Sequence, residues 1–129
     1  MRIRLFAAVL ALAAAAAADA QQSAAQKSVQ NGVTVEVTGP DFTPPAWSFK
    51  VVLDTHSQEL SDDLVATAVL VDPAGREIRP TAWEGAGPGS HHREGVLKFP
   101  ALTPAPEAVE LRIRRAGEAA PRVFKFDVR

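Results

Sequence analysis

The sequence of 129 residues predicts one all-β sandwich, and three observations carry that expectation. From residue 32 onward apolar residues recur with a period of two rather than the helical period of about 3.6. Clusters of Pro, Gly, Asp and Ser interrupt the apolar runs at short, regular intervals. The chain beyond its N-terminal apolar segment is long enough for one core and no more. Together they predict about seven short antiparallel strands in an immunoglobulin-like β-sandwich.

Taken in order, the N-terminus reads as an export signal. Arg2 and Arg4 precede an apolar run from Leu5 to Ala18, and Ala18-Asp19-Ala20 supplies a small-x-small cleavage pattern. Residues 1–20 are therefore expected to be a signal peptide, placing the mature chain in the periplasm or outside the cell. No cysteine follows, which excludes lipid anchoring at a processed cysteine, and no later apolar run is long enough to span a bilayer. Residues 21–31, "QQSAAQKSVQN", are small and polar and read as a flexible leader.

The sandwich domain is expected over 32–129. "GVTVEVTG" alternates Val33, Val35 and Val37 against Thr34, Glu36 and Thr38. "AWSFKVVLDTHS" places Trp47, Phe49, Val51 and Leu53 on one face, with Ser48, Lys50, Asp54 and His56 on the other. "LVATAVLVD" is apolar on both faces and suits a central strand, while "SQELSDDL" alone could hold a helical turn. "DPAG" at 72–75 is a turn. "GVLKF", "AVELRIRR" and "RVFKFDV" supply Leu97/Phe99, Val109/Leu111/Ile113 and Phe124/Phe126/Val128 as inward candidates.

Charge narrows the partners. Of 14 Lys+Arg and 15 Asp+Glu, removal of Arg2, Arg4 and Asp19 leaves 12 against 14, a formal charge of −2 for the mature chain. That balance lacks the basic footprint of a nucleic-acid binder. Arg112, Arg114, Arg115 and Arg122 cluster late in the chain but alternate with Glu107, Glu110, Glu118 and Asp127, which reads as a solvated strand face. The absence of cysteine removes disulfides, thiolate metal sites and cysteine nucleophiles.

The three histidines are the candidate chemistry. Asp54 and His56 share a face opposite the core, and His91-His92 sit in the glycine-rich "GPGSHHREG". No lysine or arginine occurs between Val51 and Gly75, where five carboxylates do, a local bias that favours a cation. A metal site would take His56 and one or both of His91 and His92 as ligands. Asp54 would orient an imidazole from behind, and Glu84 or Glu94 would serve as a further ligand. Imidazole and carboxylate donors suit a divalent ion such as Zn²⁺ or Cu²⁺. Neighbouring residues of an extended strand point to opposite sides, so both histidines could converge with His56 only if the chain turns there. "HH" has no fixed ligand spacing of its own, and Arg93-Glu94 reads equally as a surface pair.

Other chemistries fit less well. Asp54, His56 and Ser57 or Ser90 supply the residue types of a hydrolase triad, but no G-x-S-x-G elbow is present. "GAGPGS" lacks the Lys-Ser/Thr ending of a phosphate-binding loop. Trp83, like Trp47, reads as a core or lid aromatic.

"WSFKVVLDTHSQELSDDL", "WEGAGPGSHHREGVLKFP" and "RVFKFDV" together resemble a family of small exported or membrane-attached prokaryotic β-sandwich proteins. Their shared pattern runs LDTHS, Asp-Leu, WEG or WDG, then a glycine-rich HHREG segment. The resemblance covers residues 46 to 128. It implies the fold and an organised region built on Leu53 to Ser57, Trp83 to Gly85 and His91 to Gly95, and it implies no reaction. The expected function is an exported, non-enzymatic module binding a divalent metal ion, or another ligand, through His56 and His91 or His92, with a protein partner expected only on the alternative reading. The alternative is a structural or docking module in which Asp54, His56, Arg93 and Glu94 form a polar network that pins strands in register.

Overall fold

The computed structural model describes residues 25–129, so the expected signal segment 1–20 lies outside the described residues. Two antiparallel sheets face one another. The first has the order β1 (Gln26–Gln30), β2 (Val33–Asp41), β3 (Ala46–Thr55), β7 (His92–Pro100), β6 (Ala82–Gly85). The second has the order β5 (Glu77–Ile78), β4 (Ala68–Val71), β8 (Ala108–Ile113), β9 (Arg122–Asp127). Apart from β1, this is the strand order of an immunoglobulin-type Greek key, β2-β3-β7-β6 facing β5-β4-β8-β9.

Alternation builds the core. Val33, Val35, Val37, Trp47, Phe49, Val51, Leu53, Leu97 and Phe99 of the first sheet are buried against Leu70, Val109, Leu111, Ile113, Phe124 and Phe126 of the second. Phe49 joins the layers, its ring 5.7 Å from that of Phe99 and 5.3 Å from that of Phe126. Of the expected inward residues only Val128 falls short, lying beyond β9 and partly buried.

Three expectations need correction. Within the expected flexible leader, residues 26–30 form β1, an edge strand paired with β2 from Gln26↔Val37 to Gln30↔Val33. Hydrogen bonds rather than apolar burial hold it: the Gln26 side-chain amide donates to the Lys125 carbonyl at 2.6 Å and accepts from the Lys125 N–H at 3.2 Å. "LVATAVLVD" is not one strand. Leu64–Thr67 forms a single helical turn, α1, seven residues later than the start of "SQELSDDL", and only Ala68–Val71 is extended. The chain needs that turn to pass from the first sheet to the second, and the Thr67 hydroxyl donates to the Asp63 carbonyl at 2.9 Å to close it. The short strands β5 and β6 bring the described total to nine. No helix among the described residues is long and apolar enough to cross a membrane.

Candidate functional site: a braced loop end

Four connections meet at one end of the sandwich: the β1–β2 turn at residues 31–32, the segments 56–63 and 86–91, and the β8–β9 connection at 114–121. The β3–β7 ladder sets what they present. It pairs Val52 with Glu94, Leu53 with Arg93 and Asp54 with His92. Because Leu53 is inward, so is Arg93, while Asp54, His92 and Glu94 lie on the outer face.

On that face His92 lies between two carboxylates. Its Nδ1 is 2.5 Å from Asp54 Oδ1 and its Nε2 is 3.4 Å from Glu94 Oε2. Ionised carboxylates only accept, so this setting favours the protonated ring, which can donate from both nitrogens. The Asp54 hydrogen bond, reinforced by its charge, raises the His92 pKa above the ordinary 6.5. The two nitrogens point to opposite sides of the ring, so Asp54, His92 and Glu94 cannot all turn donor atoms toward one ion.

The inward neighbour, Arg93, is 2% exposed. Its Nη1 donates to the Asp62 carbonyl at 2.7 Å and reaches that of Leu60 at 3.4 Å, while Nε and Nη2 donate to the Ala86 carbonyl at 3.3 and 3.1 Å. One guanidinium thus ties segment 56–63 to segment 86–91. Backbone bonds complete the join: Gly89 N–H to Leu60 carbonyl at 2.7 Å, and Leu60 N–H to Ser90 carbonyl at 3.0 Å. Trp83 covers the guanidinium, with 5.9 Å from Arg93 Cζ to the ring centroid, and its Nε1 donates to the same Ala86 carbonyl at 2.9 Å. The tryptophan reaches this position across Gly95, where an added Cβ would lie 2.7 Å from Trp83 Cζ2 and 2.8 Å from the Glu84 carbonyl oxygen. Gly85, paired with Gly95, has no room either, since a Cβ there would meet the Gly95 Cα at 2.4 Å. "WEG" at 83–85 and "HHREG" at 91–95 are therefore one packed unit.

A second set of buried charges crosses between the sheets. Arg115 makes a forked contact with Asp62, Nε to Oδ2 at 2.9 Å and Nη2 to Oδ1 at 3.2 Å, and its Nη1 reaches Glu118 at 3.3 Å. Arg122 forks onto Glu118 at 3.0 and 2.7 Å and donates to the carbonyls of Ser28, Val33 and Gln30 at 2.8, 2.8 and 3.0 Å. The side chains of Asp62, Arg115, Glu118 and Arg122 are each less than a tenth exposed. Among the described residues no buried side-chain nitrogen or oxygen lacks a partner.

The expected metal ligands thus separate. Asp54, His92 and Glu94 come together. His56 is exposed beyond the end of β3 and shares with Asp54 a depression of about 350 Å³ lined also by Gly32, Thr34 and Thr55. His91 is exposed, and its backbone carbonyl accepts from the Thr55 N–H at 2.9 Å. Glu84 pairs with Lys98 at 3.1 Å. Among the described residues no three His, Asp or Glu side chains are arranged to hold a metal ion. The cation-favouring bias read between Val51 and Gly75 is also corrected, because Arg93 and Arg115 enter from other strands and Arg115 neutralises Asp62.

Sequence reading missed the inward burial of Arg115 and Arg122, taken for a solvated face, and placed Arg93 either in a surface pair or in a polar network with Asp54, His56 and Glu94, whereas it turns inward, away from those three. The signal was parity. Arg93 is in phase with Leu97 and Phe99, Arg115 with Leu111 and Ile113, and Arg122 with Phe124 and Phe126, all buried. No protein-family model, curated protein or solved structure matched the chain.

Proposed function

We propose that this chain is an exported, non-enzymatic β-sandwich module whose loop end is held ready for docking a protein partner. On this reading the "LDTHS" and "HHREG" segments supply the bracing rather than a metal site. The observation that carries it is Arg93. A buried guanidinium bonded to three backbone carbonyls from two loops fixes loop shape and commits the side chain to the backbone. The placement of His92 between Asp54 and Glu94 supports the same reading, since the two carboxylates flank the ring nitrogens that a metal ion would need.

Hydrogen exchange and metal-dependent melting test this on the same preparation. The amides of 57–63 and 86–91 are expected to be protected in the wild-type chain and to exchange at least about tenfold faster in Arg93→Met, with zinc leaving the melting temperature unchanged. A zinc-dependent rise in melting temperature that His56→Ala abolishes would return the site to metal binding. Unprotected loops in the wild-type chain would remove the claim that they are pre-organised.

A further inference from the structure

The outer face of the second sheet carries a feature that the bracing network does not use. A groove of about 270 Å³ lies between α1, β4, β5 and β8. Ala66, Val69 and Pro121 give it an apolar lining, and Arg79, Arg112 and Arg114 surround it. The register explains the meeting: Val69 pairs with Arg112, so both project outward, and the Arg114 N–H donates to the Thr67 carbonyl at 2.9 Å, fixing the strand end against α1.

The three guanidiniums are not equivalent. Arg112 is occupied by Glu110, with Nη2 to Oε2 at 2.8 Å and Nε to the same oxygen at 3.1 Å. Arg79 has only a 3.4 Å contact from Nη1 to the Ala66 carbonyl. Arg114 makes no side-chain hydrogen bond or ion pair among the described residues. The carboxylate of Glu77 also lines the groove, without an ion pair among the described residues, so the unpaired side chains there sum to one positive charge. Among the described residues, Arg115 and Arg122 are matched by Asp62 and Glu118 and Arg76 by Asp72, while Arg93 is bonded to backbone carbonyls. Two unmatched planar donors beside a small apolar surface suit an oxyanion on an apolar body, because a guanidinium fork fits a carboxylate or phosphate through paired N–H donors.

We propose that this groove binds a small organic anion, its carboxylate or phosphate held by Arg79 and Arg114 and its apolar part resting on Ala66, Val69 and Pro121. Arg114 and Pro121 belong to the β8–β9 connection, but none of the bracing side chains Asp62, Arg93, Arg115, Glu118 and Arg122 lines the groove, so the proposal does not rest on the docking reading. Its size accommodates one ring or one short side chain, below the range of most drug-sized ligand pockets.

Backbone amide NMR shifts, titrated with phenyl phosphate, benzoate and inorganic phosphate, provide the test. Phenyl phosphate and benzoate separate the two headgroups, and inorganic phosphate isolates the contribution of the apolar body. Saturable shifts at Thr67, Val69, Arg112 and Arg114 are expected, with an aromatic anion binding at least about threefold tighter than inorganic phosphate. Arg114→Ala and Arg79→Ala should each weaken that binding about tenfold, the scale of a lost charge-assisted hydrogen bond. Arg76→Ala removes an equal charge from the nearby β4–β5 turn, outside the groove, and should leave it unchanged. No saturable shifts with any of the three anions, or equal weakening by Arg76→Ala, would overturn the proposal, the second by showing a diffuse surface potential in place of a site.

Discussion

His92 shows how a single side chain can be placed by its neighbours without being buried by them. Its ring is half exposed, yet Asp54 and Glu94 occupy both nitrogens. A histidine whose folded pKa is raised stabilises the fold fully below its unfolded value, near 6.5, and loses that contribution as pH rises through the higher folded value. His92→Ala should therefore lower the melting temperature more at about pH 5.5 than at about pH 8.5. Asp54→Asn should move the His92 midpoint, followed by NMR, back down toward the ordinary histidine range. A deficit that is the same at both pH values would mean that the ring acts through packing alone. Neighbouring residues divide the labour in "LDTHS": Leu53 is core, Asp54 holds His92, and the Thr55 hydroxyl donates to the Gly32 carbonyl at 2.9 Å.

At the scale of elements, β6 and β7 form a hairpin-like pair whose contact surface is made of glycine and tryptophan. Gly95 has an ordinary backbone conformation, so the demand on it is steric: the Trp83 ring lies where a side chain would be. Gly95→Ala should cost about 1–3 kcal/mol, the usual range for forced overpacking, because Trp83 cannot move without uncovering Arg93. Urea denaturation measures the loss, and a change in tryptophan fluorescence under native conditions locates it at Trp83. An alanine tolerated without either effect would mean that β6 can slide away from β7. β1 illustrates the opposite case. It contributes little apolar burial and is held at its ends by Gln26 on Lys125 and by Arg122 on the carbonyls of Ser28 and Gln30. A strand held in this way leaves no hydrophobic period to read.

For the whole molecule, the buried chain Asp62–Arg115–Glu118–Arg122 does what a disulfide does in many exported sandwiches, joining the two sheets and their loops in a protein without cysteine. Arg122 leaves β9 of the second sheet and ends on carbonyls of β1 and β2 in the first. Arg122→Met should cost about 3–5 kcal/mol at neutral pH, since it leaves the buried Glu118 carboxylate with Arg115 alone and removes the donor from three carbonyls. The Arg122 hydrogen bond holds the Glu118 carboxyl below its ordinary 4.5. A lowered carboxylate pKa adds stability above the unfolded value, and that stability is lost as pH falls through the lower folded value. The deficit of Glu118→Gln relative to wild type should accordingly be full at about pH 7 and shrink below about pH 4.5, as followed by urea midpoints across pH. A deficit independent of pH would place the effect in shape and not in charge.

Period-two alternation in β2, β3, β8 and β9 was legible because each strand has one dry face, and the buried side chains there are the ones the pattern selects. The same parity already contained Arg93, Arg115 and Arg122. A local reading assigns a charged residue to solvent, because its partners are distant in the chain: Arg93 meets Asp62 across 31 positions and Arg122 meets Ser28 across 94. Alternation and turn chemistry are short-range properties, so the sequence by itself determined the all-β class, most strands and their buried faces. Pairing of charges is long-range. Only the tertiary structure decided that His92 would bridge two carboxylates while His56 stood apart, that three arginines would turn inward to brace the loops, and that Arg79 and Arg114 would meet beside an apolar floor. Burying a guanidinium costs less than leaving it unpaired only where the fold delivers its acceptors.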